Sequence, residues 1–296
     1  MMTGIDTAWG EITLVLFTTL APSGVVAFIV MGLTLLRGDL SSEERRRINQ
    51  FLSIPLVTAM VGLVASATHL GNPANALYVF LGVGRSPLST EVFCAVVFLA
   101  LAGVYWLYSF SVHPNERLRR WWIALAMIAG VVFVTSVSLA YAADTIVSWS
   151  TPSVPIALWL NALVGGPVLA LVGLSAARWS PSAEGFGRAL MAVSCLALVL
   201  NLAVYGIQAF ELPAIENAFL TAADLVPHYG GMVIAFSLLA AAGIGLDARI
   251  LFGRRGKGPR SLTIPRAVAA SALVLAGIFI MRFAFYMMHM TEGLGV

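Results

Sequence analysis

The sequence predicts an all-α integral membrane protein of about eight transmembrane helices, and three observations carry that prediction. Hydrophobic residues make up 59% of the 296 and charged residues only 10%, against roughly 45–50% and about 25% in soluble domains. Apolar runs of membrane-spanning length recur along nearly the whole chain, without the strand-period alternation of a barrel. Basic residues gather in alternate loops, as they do in multi-pass proteins.

The apolar runs lie near 11–36, 49–69, 88–110, 121–142, 155–177, 187–208, 229–252 and 265–289. Each can cross a hydrocarbon core of about 30 Å as a helix, the form that satisfies backbone polar groups in lipid. They leave no room for a separate soluble domain, so residues 1–296 read as one transmembrane domain. The N-terminal MMTGIDTAWGE carries acids and no basic n-region, unlike a cleavable signal peptide. The first span is therefore expected to direct insertion. Small residues midway along spans one and five (Ala21, Ser23, Gly24; Gly165, Gly166) fit two similar four-helix halves, and fit close helix packing equally well.

Orientation follows from charge. Arg37, Arg45, Arg46, Arg47, Arg117, Arg119, Arg120, Arg178, Arg188, Arg249, Arg254, Arg255, Lys257, Arg260 and Arg266, fifteen of the 17 basic residues, fall on one side. That side is expected to be cytoplasmic. The other side gathers Asp6, Glu11, Asp144, Glu211, Glu216, Asp224 and Glu292, which puts both termini outside. The net charge of +3 thus marks topology and not a nucleic-acid surface. Cys94 and Cys195 lie inside apolar stretches and read as small buried hydrophobes. They do not make a zinc or cysteine-ligated cluster site.

Polar groups inside spans are expensive and informative. His69 ends span two, with Ser66 and Gly62 behind it at helical spacing, a small face beside the imidazole. It is either a solvated helix-end histidine or a base able to accept a proton from a quinol hydroxyl. Glu91 opens span three after Ser86 and Pro87. It reads either as an acid complementing the first turn or as a second proton acceptor, with Arg85 adjusting its charge. Arg282, Tyr286 and His289 are spaced by four and three on one face of the last span. An arginine about two turns into lipid needs a partner or a wet cavity. Asn161, Asn201, Tyr205 and Gln208 are expected to hydrogen-bond between helices, and Tyr141, Trp149 and Trp159 to form an interfacial aromatic belt. One haem is possible by count, between His69 and His289; a transporter would need polar groups continuing inward from Arg282, where span eight offers little besides Ser271.

In LLRGDL at 35–40, HLGNP at 69–73, PLSTEV at 87–92, GGP at 165–167, LVPHYG at 225–230 and RFAFYMMHMTEG at 282–293, the sequence resembles the membrane anchor subunits of the dimethyl sulfoxide reductase family, the DmsC family. The resemblance runs almost end to end. It implies an eight-helix anchor without haem or metal, in the bacterial cytoplasmic (inner) membrane. Such an anchor binds menaquinol near the outer surface and passes its electrons to an iron–sulfur subunit, which feeds a molybdopterin catalytic subunit. The anchor is thus not catalytic for the terminal substrate. His69 and Glu91 match the residues to which the family looks for quinol oxidation. Ser66, Arg85, Arg282, Tyr286 and His289 are the further candidates around them. One departure is that relatives carry a basic residue shortly after the HLG motif, where this sequence has Ala74, Asn75 and Ala76; Arg85 or Arg282 is the candidate substitute. The alternatives from other classes are a haem-b anchor and an ion-translocating subunit.

Overall fold

The computed structural model describes residues 3–69, 73–179, 185–217, 219–252 and 263–290. Leu70, Gly71 and Asn72 of the HLGNP motif, the basic residues Arg254, Arg255, Lys257 and Arg260, and Glu292 lie outside them, as do the side chains of Ala74, Asn75 and Ala76. Among the described residues, eight helices are long and apolar enough to cross a membrane.

A short helix, α1 (Gly4–Gly10), is capped by Thr3 and Asp6 and leads into α2 (Ile12–Leu36). Span two starts earlier than its apolar run. Ser41 and Glu44 form a capping box that begins α3 (Ser42–Phe51) within the polar SEERRR stretch, and Arg45 donates to the carbonyl of Leu35 at the open end of α2. The helix breaks at Leu52 before α4 (Ser53–Thr68). Pro55 lacks an N–H, and its ring crowds the carbonyl four residues back, at Phe51. A 3₁₀ segment, Pro73–Gly82, then leads to α5 (Pro87–Tyr108), which has Ser86 as N-cap and Pro87 in its first position. The other spans are α6 (Glu116–Ala140), α7 (Ser153–Ala176), α8 (Phe186–Glu211), α10 (Tyr229–Phe252) and α11 (Thr263–Met287), with the one-turn α9 (Ala222–Leu225) before α10.

Two helices form the centre. In α2 and α7, 78% and 83% of the most apolar window is buried, and the two pack on each other. Both carry a proline midway, Pro22 and Pro167, beside small residues. The close approach needs glycine. A Cβ on Gly24 would stand 2.8 Å from Pro55 O and Ala59 N, and one on Gly166 would strike Val26. Around this pair, α4 lies on α2, α8 on α7, α5 on α6 and α10 on α11, while α11 also reaches both central helices. The outward faces of α4, α8 and α10 expose apolar side chains such as Val64, Val199 and Leu238, suited to lipid. Cys195 departs from expectation, being exposed on the outward face of α8 and not buried.

Candidate functional site

Two groupings of polar side chains form at one end of the bundle. The first is at the mouth, where His69, the C-cap of α4, points Nε2 to within 3.2 Å of Glu11 Oε2. Glu11 is the N-cap residue of α2, yet its side chain makes no capping bond. His289 lies within electrostatic reach of the same carboxylate. Burial pushes the His289 imidazole below its ordinary value, and Glu11 pulls it weakly the other way.

Deeper in, α2 and α11 meet through polar groups. Thr18 lies seven residues past Glu11, two turns along the same face and about 10 Å down the axis. It accepts a hydrogen bond from Arg282 Nε at 2.9 Å. The Arg282 guanidinium lies 4.1 Å from the Phe285 ring centroid and 5.6 Å from that of Tyr141, close enough for cation–π attraction. Arg282 Nη2, the Tyr286 hydroxyl and Glu91 Oε2 are all buried without a hydrogen-bond partner. Glu91, 2% exposed, lies within electrostatic reach of both Tyr141 and Tyr286. Buried polar atoms are rarely left unmatched, and these three lying in one neighbourhood make it a candidate binding site.

The loop after α6 closes this region. Trp149 stacks on Phe285 at 4.4 Å and meets the rings of Tyr286 and His289 edge-on. Its indole N–H donates to Phe285 O at 3.1 Å. Ser148 donates to Met288 O, and Val147 N to Met290 O.

Several expectations change here. Glu91 is the fifth residue of α5, beyond the first turn, so it cannot be a simple helix-dipole acid. Helix α11 ends at Met287, so Arg282 and Tyr286 share a stripe while His289 stands past the end, held by Trp149. Tyr141 and Trp149 are buried, at 7% and 8% exposed, and form packed walls instead of an interfacial belt, because the loop folds back over α11. Ser66 is half-buried and serves His69 through its backbone, its carbonyl accepting the His69 N–H. Arg85 stands exposed in the turn before α5. Glu11 and Thr18 were not singled out by reading the sequence. Their spacing of seven was the available signal, but Glu11 also read as one more acid on the outer side.

The second grouping joins α7, α8 and α10. Asn161 Nδ2 donates to Tyr205 OH at 2.8 Å, Asn201 Nδ2 donates to Asn161 Oδ1 at 2.7 Å, and Tyr229 OH donates to Gln208 Oε1 at 2.8 Å. The interhelical bonding expected of these residues is present. Arg282 borders both groupings, since it also lines a narrow crevice with Tyr205, Gln208, Tyr229, Phe285 and Met288. Among the described residues, no three His, Cys, Asp or Glu side chains are placed to hold a metal ion.

Among the described residues, eight apolar helices, six of them around two central proline-containing ones, with polar groups gathered at one end, define a multi-pass membrane protein. Residues 5–288 match the family described as DMSO reductase anchor subunit (DmsC). The protein is 34% identical, over 99% of both sequences, to the C subunit of the anaerobic dimethyl sulfoxide reductase of Escherichia coli (strain K12). It is 31% identical to the anaerobic dimethyl sulfoxide reductase subunit YnfH of the same organism, over 97% of this sequence and 98% of that one. It is also 28% identical to the corresponding C subunit of Haemophilus influenzae, over 99% of both. The protein belongs to the DMSO reductase anchor subunit family.

Proposed function

We propose that this protein is the quinol-oxidising anchor of a respiratory molybdoenzyme in the bacterial inner membrane, with its polar end facing out. The observation that carries the reading is the group of buried, unpaired polar atoms on Glu91, Tyr286 and Arg282 beneath the His69–Glu11 contact. The chemistry fits menaquinol as substrate. A quinol offers two hydroxyl donors and becomes a quinone with two carbonyl acceptors, and the region supplies both kinds of partner.

In this reading the headgroup approaches between the outer ends of α4, α5 and α11. One hydroxyl proton passes to His69 and the other to Glu91, directly or through water. Arg282 and Tyr286 are placed to donate to oxygen as it loses its protons. The protons leave outward. Electrons pass to an iron–sulfur cluster in a partner subunit, and from there to a molybdopterin subunit that acts on the terminal acceptor. The segment Pro73–Gly82, four residues past His69, exposes Leu77, Tyr78 and Leu81, an apolar surface suited to such a partner.

The test is fluorescence titration of the purified complex with a quinol-analogue inhibitor, comparing wild type with assembled His69→Ala and Glu91→Gln. Loss of analogue binding or of quinol oxidation is expected in both variants. Full retention in both would sink the reading and return these residues to structural roles. A haem-b anchor would instead show a Soret band in the purified protein. Because Nε2 of His69 is turned towards Glu11, the geometry favours proton transfer over axial ligation.

A further inference from the structure

We propose that Glu11 is a positioning residue for quinol oxidation: its carboxylate sets which nitrogen of His69 faces the quinol and stabilises the imidazolium that forms. The inference rests on the quinol-oxidation reading above and adds to it a residue from a different helix. Three observations support it. Glu11 Oε2 stands 3.2 Å from His69 Nε2. Glu11 makes no capping bond to its own helix, and its Oε2 is buried with no hydrogen bond in place, which leaves the carboxylate facing the imidazole and not tied to α2. Both side chains are partly open, 43% for His69 and 31% for Glu11, which gives a released proton a path to water.

The chemistry follows from the two distinct ring nitrogens. A proton carried on Nε2, 3.2 Å from the carboxylate oxygen, leaves Nδ1 as the acceptor. A quinol O–H bond breaks as Nδ1–H forms, and the resulting imidazolium is held by Glu11 as a buried carboxylate holds a general-base histidine. The proton gained on Nδ1 then leaves to water from the partly open ring, which restores the neutral Nε2–H tautomer for the next quinol. The second hydroxyl proton leaves through Glu91. Two electrons pass one at a time to the iron–sulfur cluster of the partner, so quinol loses two protons and two electrons and becomes quinone.

The experiment uses the intact purified complex with Glu11→Gln, Glu11→Asp and His69→Ala, each shown to assemble. It reads steady-state quinol oxidation and, separately, affinity for a quinol-analogue inhibitor. Glu11→Gln is expected to lower kcat by about tenfold or more, within the usual range for acid–base assistance, while analogue affinity stays within about threefold. Glu11→Asp, which keeps the charge one methylene further back, is expected to fall between Glu11→Gln and wild type. If Glu11→Gln and Glu11→Asp both keep wild-type kcat while His69→Ala loses activity, the role of Glu11 is overturned and the quinol site stands. If Glu11→Gln loses kcat and analogue affinity in proportion, Glu11 merely shapes the binding site and the inference fails. Should Glu11→Gln not assemble, Glu11→Asp decides alone: a reduced kcat at unchanged affinity supports the role and a wild-type kcat overturns it. Unchanged oxidation in assembled His69→Ala would remove the underlying reading itself.

Discussion

The two polar groupings at one end of the bundle are built from similar side chains but finished differently. Between α7, α8 and α10, Asn161 bonds to both Asn201 and Tyr205, and Tyr229 bonds to Gln208, with one atom, Asn201 Oδ1, left without a partner. Between α2, α5 and α11, Glu91, Tyr286 and Arg282 each keep a buried atom without a partner. A paired network holds helices together, and its value is spent in the folded protein. An unpaired one costs about 1–3 kcal/mol per buried group and is sustained where a ligand completes it. The contrast is what distinguishes the proposed site from interhelical packing, using chemistry that looks alike in sequence.

The largest effect that would break this contrast concerns rate. Glu91→Gln is expected to slow quinol oxidation by about a hundredfold or more, while Tyr229→Phe in the paired network stays within about twofold of wild type. Equal losses in the two assembled complexes would erase the distinction. Next is stability, where the order reverses. Asn161→Leu strands Asn201 and Tyr205 and should cost about 1–2 kcal/mol, seen as a lower Tm in detergent, with oxidation retained below that temperature. Tyr286→Phe removes a hydroxyl that lies beside Thr18 and Tyr141 but makes no well-formed hydrogen bond to them. Its Tm should be unchanged or slightly raised, while analogue affinity falls by up to about tenfold, the worth of one hydrogen bond.

The smallest effect is pH-dependent. Burial holds His289 below its ordinary value of 6.5 in the folded protein, so the unfolded state takes up the proton first. Stability is complete above the ordinary value and declines as pH falls through it towards the folded one. His289→Gln should flatten that decline in a Tm-against-pH series. A slope identical to wild type would show that the outer aromatic wall does not bury this ring.

Much of the fold was legible in the sequence. Eight apolar runs, the Ser86–Pro87 start of α5 and the position of Arg282 two turns inside α11 are local properties, readable from hydropathy and spacing. Helix starts driven by caps were harder, because the polar SEERRR stretch hides the beginning of α3 from any search for apolar residues. Asp247 escaped notice for a similar reason. It sits near the end of α10 among small and apolar residues, and only packing shows that it is 1% exposed with both carboxylate oxygens unpaired.

The site divides along the same line. The sequence by itself singled out the candidates for the proposed chemistry, His69, Glu91, Arg282, Tyr286 and His289, because polar groups in apolar runs stand out on composition alone. Only the tertiary structure decided their partners. Arg282 finds Thr18 across a separation of 264 residues, His69 finds Glu11 from another helix, and Trp149 reaches back over α11. The physical reason is that helical periodicity assigns a residue to a face, while the crossing of packed helices assigns that face to a neighbour, and the second is set by the whole core at once.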